Sequence, residues 1–262
     1  MSHPYLRLEH PIRLAHRGSR VLWPENTMVA FQGAVDLGYR YIELDVRATL
    51  DDVVVVYHDQ TLERVTNGAG RVRDWRYSEL LELDAAYHFD PEGGYPSRGR
   101  GVRVPTLEEV LHTYPGVHFN IDLKDARIEW LVAEIVRKLD RTGSTLVGSF
   151  WDRRTALYRR ILGPEAATSA GPASAGAMWA ASRIGRTVRL PPVAYQLPFD
   201  ARVAPIDRKL VDAIHAAGAQ LHVWTVNEAG DMRRMLDLGV DGVVTDRPDV
   251  LRSVVRDRPA SA

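Results

Sequence analysis

No cysteine occurs among the 262 residues, so disulfides, thiolate nucleophiles and thiolate-ligated metals are excluded. An excess of one charge is also missing. Thirty-four Lys and Arg balance 34 Asp and Glu, which leaves no net field to argue for nucleic acid as a partner. No run of about 18 apolar residues is present, so no membrane span is expected. The first residues, "MSHPYLRLEHPIRL", hold no apolar segment of signal-peptide length, which sets a cytoplasmic location as the expectation. The GxGxxG fingerprint of dinucleotide-binding sheets is absent too. What is there is ordinary for a globular chain: 45% apolar and 26% charged residues, at a length that suits one large α/β domain over 1–262. Nothing in these quantities sets an oligomeric state.

Strand-like runs alternate with helix-like segments. The runs lie at 12–15, 41–46, 117–123, 145–150, 166–170, 193–197, 221–226 and 241–245. Helical patterns follow near 27–37, 106–114, 126–140, 151–161, 173–183, 207–217, 228–238 and 247–255. The segment "ARIEWLVAEIVRKLD" (126–140) carries apolar residues at three- and four-residue spacing, the signature of an amphipathic helix. Eight such units predict a TIM (β/α)8 barrel; a doubly wound open sheet is the rival architecture. One stretch breaks the alternation. "ATLDDVVVVYHD" (48–59) is a second β-like run directly after "YIELDV". It predicts a small hairpin, turning at Asp51-Asp52, that returns His58 and Asp59 to the level of Glu43 and Asp45. The insertion after strand 2 then spans about 48–105. Its Gly- and Arg-rich part, "EGGYPSRGRG", is of the kind that is functional or disordered.

Functional groups of a parallel barrel sit at the C-terminal ends of its strands. Side chains two apart in a strand share a face. His16 closes the first strand; Glu43 and Asp45 share a face on the second; Asn120, Asp122 and Lys124 share one on the third; His222 and Trp224 share one on the seventh. Three carboxylates with no matching buried cations would repel one another in a barrel mouth, so their charge must be compensated or they must be partly protonated. A divalent ion is the economical solution, and all-oxygen ligation favours Mg2+ or Ca2+. His16 and His58 suit acid–base chemistry near neutral pH. Arg17 and Lys124 suit a phosphate. Glu25 and Asn26 organise the start of the first helix, with Thr27 or Asn26 as its N-cap. His88, His112, His118, His215 and His222 read as surface or core residues.

The segments "AHRG", "PENT", "IELDV", "HDQTLERVTNGAG", "PTLEEVL", "NIDLK", "SF", "WTVN" and "DGVVTDRPD", in this order, closely resemble the glycerophosphodiester phosphodiesterase family over about residues 12–250. The resemblance implies a TIM barrel, a divalent metal and hydrolysis of a small-molecule glycerophosphodiester to glycerol 3-phosphate and an alcohol. It places His16 and His58 on the catalytic histidines, Glu43 and Asp45 on metal ligands, and Arg17 and Lys124 near the phosphate. Trp224 falls where a wall for the glycerol would stand. His16 is the candidate base and His58 the candidate acid. Asp122 stands where the family usually has a glutamate, about 1.5 Å shorter in reach, and is the candidate third ligand. Two alternatives stay open: phospholipase D-like action on lysophospholipids or sphingomyelin-type lipids, and a non-catalytic barrel that binds phosphate ligands. An exposed rim at 84–101, with Tyr87, Phe89 and Tyr95, would favour the first.

Overall fold

The structure is a computed structural model that describes residues 3–200 and 205–258. Its sheet contains β1 (Ile12–His16), β2 (Tyr41–Ala48), β3 (Val54–Val56), β4 (His118–Leu123), β5 (Thr145–Gly148), β6 (Ala167–Ala170), β7 (Ala194–Pro198), β8 (Gln220–Trp224) and β9 (Gly242–Thr245). All strands but β3 are parallel, and β1 pairs with both β2 and β9, which closes an eight-stranded TIM barrel. The expected hairpin is present: β3 runs antiparallel to β2, with Val46 opposite Val56. Helices follow the barrel strands: α1 (Met28–Asp36), the short α2 (Tyr77–Leu80) inside the insertion, α3 (Leu107–Thr113), α4 (Glu129–Lys138), α5 (Asp152–Leu162), α6 (Pro172–Arg183), α7 (Arg208–Ala216), α8 (Ala229–Leu238) and α9 (Pro248–Arg256). Thr27 is the N-cap of α1, its hydroxyl accepting from the Ala30 N–H at 3.2 Å. The strand expected to reach Phe150 ends at Gly148, because the chain turns there and the Trp151 N–H meets Ser149 Oγ.

Alternation sorts the strands as anticipated. Ile42, Leu44 and Val46 pack outward among Phe31, Leu107 and Val132, while Glu43 and Asp45 line the interior cavity. Beneath the mouth, Leu14, Tyr41, Leu146, Ala194 and Val244 fill the barrel. The turn Pro4–Arg7 plugs its base, with the Tyr5 ring edge-on to Tyr41 at 5.3 Å. Register then levels the polar groups: His16 stands beside Glu43, Glu43 beside Asn120, and Asp45 beside Asp122.

The insertion is packed. Val55, Tyr57, Leu62, Leu80, Ala86 and Val104 form a cluster of their own, and the Val56 N–H bonds the Pro105 carbonyl at 2.9 Å, pinning the insertion's two ends together. The Gly- and Arg-rich part folds around Arg98, whose guanidinium lies 4.1 Å from the Tyr87 ring centre and 3.7 Å from that of Tyr95.

Candidate active site

"AHRG" ends β1 with an abrupt turn. Gly18 has φ +81°, and a Cβ there would fall 2.7 Å from the Ala30 backbone, so only glycine lets α1 approach. Arg17 itself is left-handed, at φ 54°, as is Asn26 at φ 56°. Non-glycine residues held in that region mark sites where surrounding contacts override local preference. The contacts are visible: the Arg17 N–H bonds the Glu43 carbonyl at 2.8 Å and the Asn26 N–H bonds the Arg17 carbonyl at 3.0 Å.

A cavity of about 450 Å³ opens at the C-terminal ends of the strands. All eight residues singled out in the sequence line it: His16, Arg17, Glu43, Asp45, His58, Asp122, Lys124 and Trp224. His16 Nδ1 lies 2.6 Å from Asp246 Oδ1, and His58 Nδ1 lies 2.5 Å from Asp59 Oδ1. Each carboxylate fixes its imidazole and leaves Nε2 as the nitrogen available to a ligand. Asp246 is itself held by Arg20 Nε at 2.9 Å and Asn227 Nδ2 at 3.1 Å. Burial pulls the His16 pKa down, but Glu43 and Asp246 outweigh it and raise the net value. Burial also lowers His58; Asp45 opposes this without reversing it, and Arg17 adds to the lowering.

Two of the three carboxylates, Asp45 and Asp122, have cations against them. Lys124 Nζ sits 2.9 Å from Asp45 Oδ1 and 2.6 Å from Asp122 Oδ2. Arg17 Nε is 3.0 Å from Asp45 Oδ2, at ion-pair distance though not aligned as a hydrogen bond. Asn26 Nδ2 donates to the same oxygen at 3.0 Å. Arg17 and Lys124 therefore face the cavity and neutralise Asp45 together. Burial alone would raise the Asp45 pKa, yet these cations hold it well below the usual carboxylate range. Glu43 lacks a cation in contact: His16 Nε2 is 3.8 Å away. Burial and then Asp45 push its pKa up to about 7. Among the described residues, no three His, Asp or Glu side chains converge at metal-ligating geometry. The proposed ligands share the cavity without forming a closed cluster. The donor chemistry nevertheless suits a hard divalent ion. Glu43 is a buried carboxylate with no cation in contact, and Asn120 Oδ1, on the strand beside it, is buried with no hydrogen-bond partner.

Several participants were given no role by the sequence, although Asp59 was placed at the level of the site. Asp246, Asn227 and Asp59 sit inside segments singled out in the sequence, but nothing local assigns them to a histidine. Arg64, also in such a segment, reaches Glu25 Oε1 and Oε2 at 2.7 and 2.8 Å and also donates to Asp59. Phe150, edge-on to Trp224 with ring centres 6.2 Å apart, completes an aromatic wall. His222 is a fully buried core histidine, pushed down to about 4 by burial.

A parallel barrel that gathers two carboxylate-held histidines, three further carboxylates and two cations in one mouth has the equipment of a phosphoric diester hydrolase. The chain belongs to the glycerophosphoryl diester phosphodiesterase family, whose model matches residues 16–250, and it is an enzyme of that kind. It is 34% identical to a glycerophosphodiester phosphodiesterase of Bacillus altitudinis, over 90% of this chain and 94% of the relative. An Oleispira antarctica phosphodiesterase, solved in complex with the product sn-glycerol-3-phosphate, superposes with a TM-score of 0.76 at 25% identity, covering 95% of this chain and 98% of that one. A human lysophospholipase D is 28% identical, over 91% of this chain and 84% of the relative. No helix among the described residues is long and apolar enough to cross a membrane.

Proposed function

We propose that the chain cleaves glycerophosphodiesters to glycerol 3-phosphate and an alcohol, with His16 and His58 as its proton carriers. One observation carries this reading: two imidazoles, each anchored through Nδ1 to its own carboxylate, open into one cavity that also holds Arg17 and Lys124. One histidine takes a proton from the attacking hydroxyl and the other gives a proton to the leaving alkoxide; attack by water gives glycerol 3-phosphate directly, whereas attack by the glycerol 2-hydroxyl gives a cyclic phosphate that water then opens with the two rings in exchanged roles. Arg17 and Lys124 bind the phosphate and meet the charge that builds on its oxygens. Phe150 and Trp224 pack against the glycerol carbons. Glu43, Asp45 and Asp122 would hold Mg2+ or Ca2+, with Lys124 yielding part of its hold on the two aspartates. When bound, the ion supplies Lewis-acid polarisation of a non-bridging phosphate oxygen. The test is product identity: glycerophosphocholine should yield glycerol 3-phosphate and choline. Release of phosphocholine and glycerol instead would overturn the assignment of the bond cleaved.

A second reading has its own observation. Phe150 lines the cavity and exposes 59% of its surface, where an acyl chain would leave a lysophospholipid; Trp151, its neighbour in the chain, exposes 56% with Arg153 5.2 Å from its ring centre. The rim expected at 84–101 does not serve, because none of its residues lines the cavity; Tyr87 and Tyr95 stack with Arg98, and Phe89 packs within the insertion. On this reading, lysophosphatidylcholine should release choline, and W151A should slow that release while sparing glycerophosphocholine. Equal effects on both substrates would remove the second reading.

A further inference from the structure

Besides His58, which lines the mouth itself, the insertion bears on the site through Arg64. Arg64 is 44% exposed, yet its guanidinium bonds two carboxylates on separate segments. Nη1 and Nη2 fork onto Glu25 Oε2 and Oε1 at 2.8 and 2.7 Å, and Nε donates to Asp59 Oδ2. Both carboxylates also hold a residue of the site, Asp59 through its other oxygen and Glu25 through the same Oε1 that Arg64 Nη2 bonds. Asp59 Oδ1 holds His58 Nδ1 at 2.5 Å, and Glu25 Oε1 accepts from Arg17 Nη1 at 2.8 Å. The path His58–Asp59–Arg64–Glu25–Arg17 is therefore continuous, each link a charge-assisted contact. Its two ends are the groups assigned to move a proton and to bind the phosphate. Only a planar guanidinium offers three donors in this fixed fork; a lysine ammonium could satisfy one carboxylate well but not both.

We infer that Arg64 is a positioning residue that locks the His58 imidazole and the Arg17 guanidinium into one mutual geometry, so that proton transfer and phosphate binding are set by a single residue of the insertion. This rests on the reading of His58 as a proton carrier and Arg17 as a phosphate ligand. The test is steady-state kinetics of R64A, R64K, H58A and H58A/R64A on glycerophosphocholine, with melting temperatures in parallel. R64A should lower kcat by about 10- to 100-fold and also raise KM. R64K should recover only part of each, and added guanidinium ion should restore R64A in a saturable way. In the H58A background, R64A should lose its effect on kcat and keep its effect on KM, because the Asp59 arm then has nothing to orient. Should R64A fail to fold, R64K alone must still show a reduced kcat with an unchanged melting temperature. Near wild-type kinetics in R64A or in a folded R64K, or additive losses in the double variant, would overturn the inference. A fully active H58A would instead overturn the functional reading on which it rests, so the two failures are distinguishable.

Discussion

Replacing Asp246 by Asn should disable His16 without removing it. Asp246 Oδ2 accepts from Arg20 Nε and Asn227 Nδ2, and Oδ1 faces His16 Nδ1. An Asn in this place has one carbonyl oxygen, and two donors compete for it on the Arg20 side. Its NH2 would then face His16 Nδ1, which must become an acceptor, and the neutral ring would carry its proton on Nε2. A ring in that tautomer cannot take a proton from a substrate. The lower bound of the kcat loss is the charge-assisted bond itself, about 1.5–3 kcal/mol or roughly 10- to 150-fold. The upper bound is the whole acid–base contribution, about 10²–10⁴. Stability changes too. Burial raises the Asp246 carboxyl, but the bonds from His16 and Asn227 and the Arg20 charge hold it at about 2 against the usual 3.8. That difference stabilises the fold by about 2 kcal/mol at neutral pH, so the melting temperature should fall by about 4–8 °C. Because the folded value is depressed, this stabilisation is complete above about pH 4, and the gap to D246N should narrow as pH falls toward 2. The assays are steady-state rates, imidazole nitrogen NMR shifts and thermal melts across pH. An unchanged kcat together with an unchanged His16 tautomer would refute the argument.

Three further outcomes follow from the site. H16A and H58A should each lose about 10²–10⁴ in turnover with the fold retained, as judged by circular dichroism; near wild-type rates in either would remove that ring as a proton carrier. A chelator should abolish hydrolysis, with Mg2+ or Ca2+ restoring it, and full activity in excess EDTA would refute the metal assignment. D122N should shift the metal-activation midpoint more than the melting temperature, whereas an unmoved midpoint would reduce Asp122 to an ion-pair partner of Lys124.

Much of the fold was legible because alternation and length carry it. The eight barrel strands, the hairpin turning at Asp51-Asp52 and the inward face of Glu43 and Asp45 all follow from a two-residue period and one break in the β/α rhythm. The histidines and carboxylates followed because strand ends converge in a barrel. What escaped was pairing across the chain. His16 and Asp246 are 230 residues apart, and their contact exists only because β9 closes onto β1. The signal was present: a residue following the last strand of a closed barrel is a neighbour of the residue ending the first. Arg64 and Glu25 are 39 residues apart and meet through irregular backbone in the insertion, where no period constrains direction. Arg17 and Lys124 were read as phosphate ligands, with an Asp122–Lys124 ion pair as the alternative for the lysine; that both also neutralise Asp45 depends on side-chain reach, which sequence spacing does not encode.

Glu43 and Asp45 lie two residues apart on one strand, share a face and are both buried, yet their environments push them in opposite directions. Asp45 has Arg17, Lys124 and Asn26 against it, and Glu43 has the distant His16 ring and a backbone N–H from Arg17 at 3.3 Å. The Glu43 carboxyl, raised to about 7 by burial and by Asp45, is protonated in both folded and unfolded chains below about pH 4. As pH rises through 7 the folded protein must ionise it against burial, and stability is lost. The difference from its ordinary value of 4.5 corresponds to about 3 kcal/mol above pH 8. E43Q keeps the shape and can still accept the Arg17 N–H, but it never ionises. In chelator-treated protein, E43Q should therefore melt several degrees above the wild type at pH 8 and at nearly the same temperature at about pH 4. Adding Mg2+ or Ca2+ at pH 8 should erase or reverse the gain, because an ion that binds the native carboxylate stabilises only the wild type. Differential scanning fluorimetry at the two pH values, with and without the ion, reads all four quantities. A wild type as stable as E43Q at pH 8 without metal would mean that Glu43 is already compensated, and the case for an ion beside it would fall with that result.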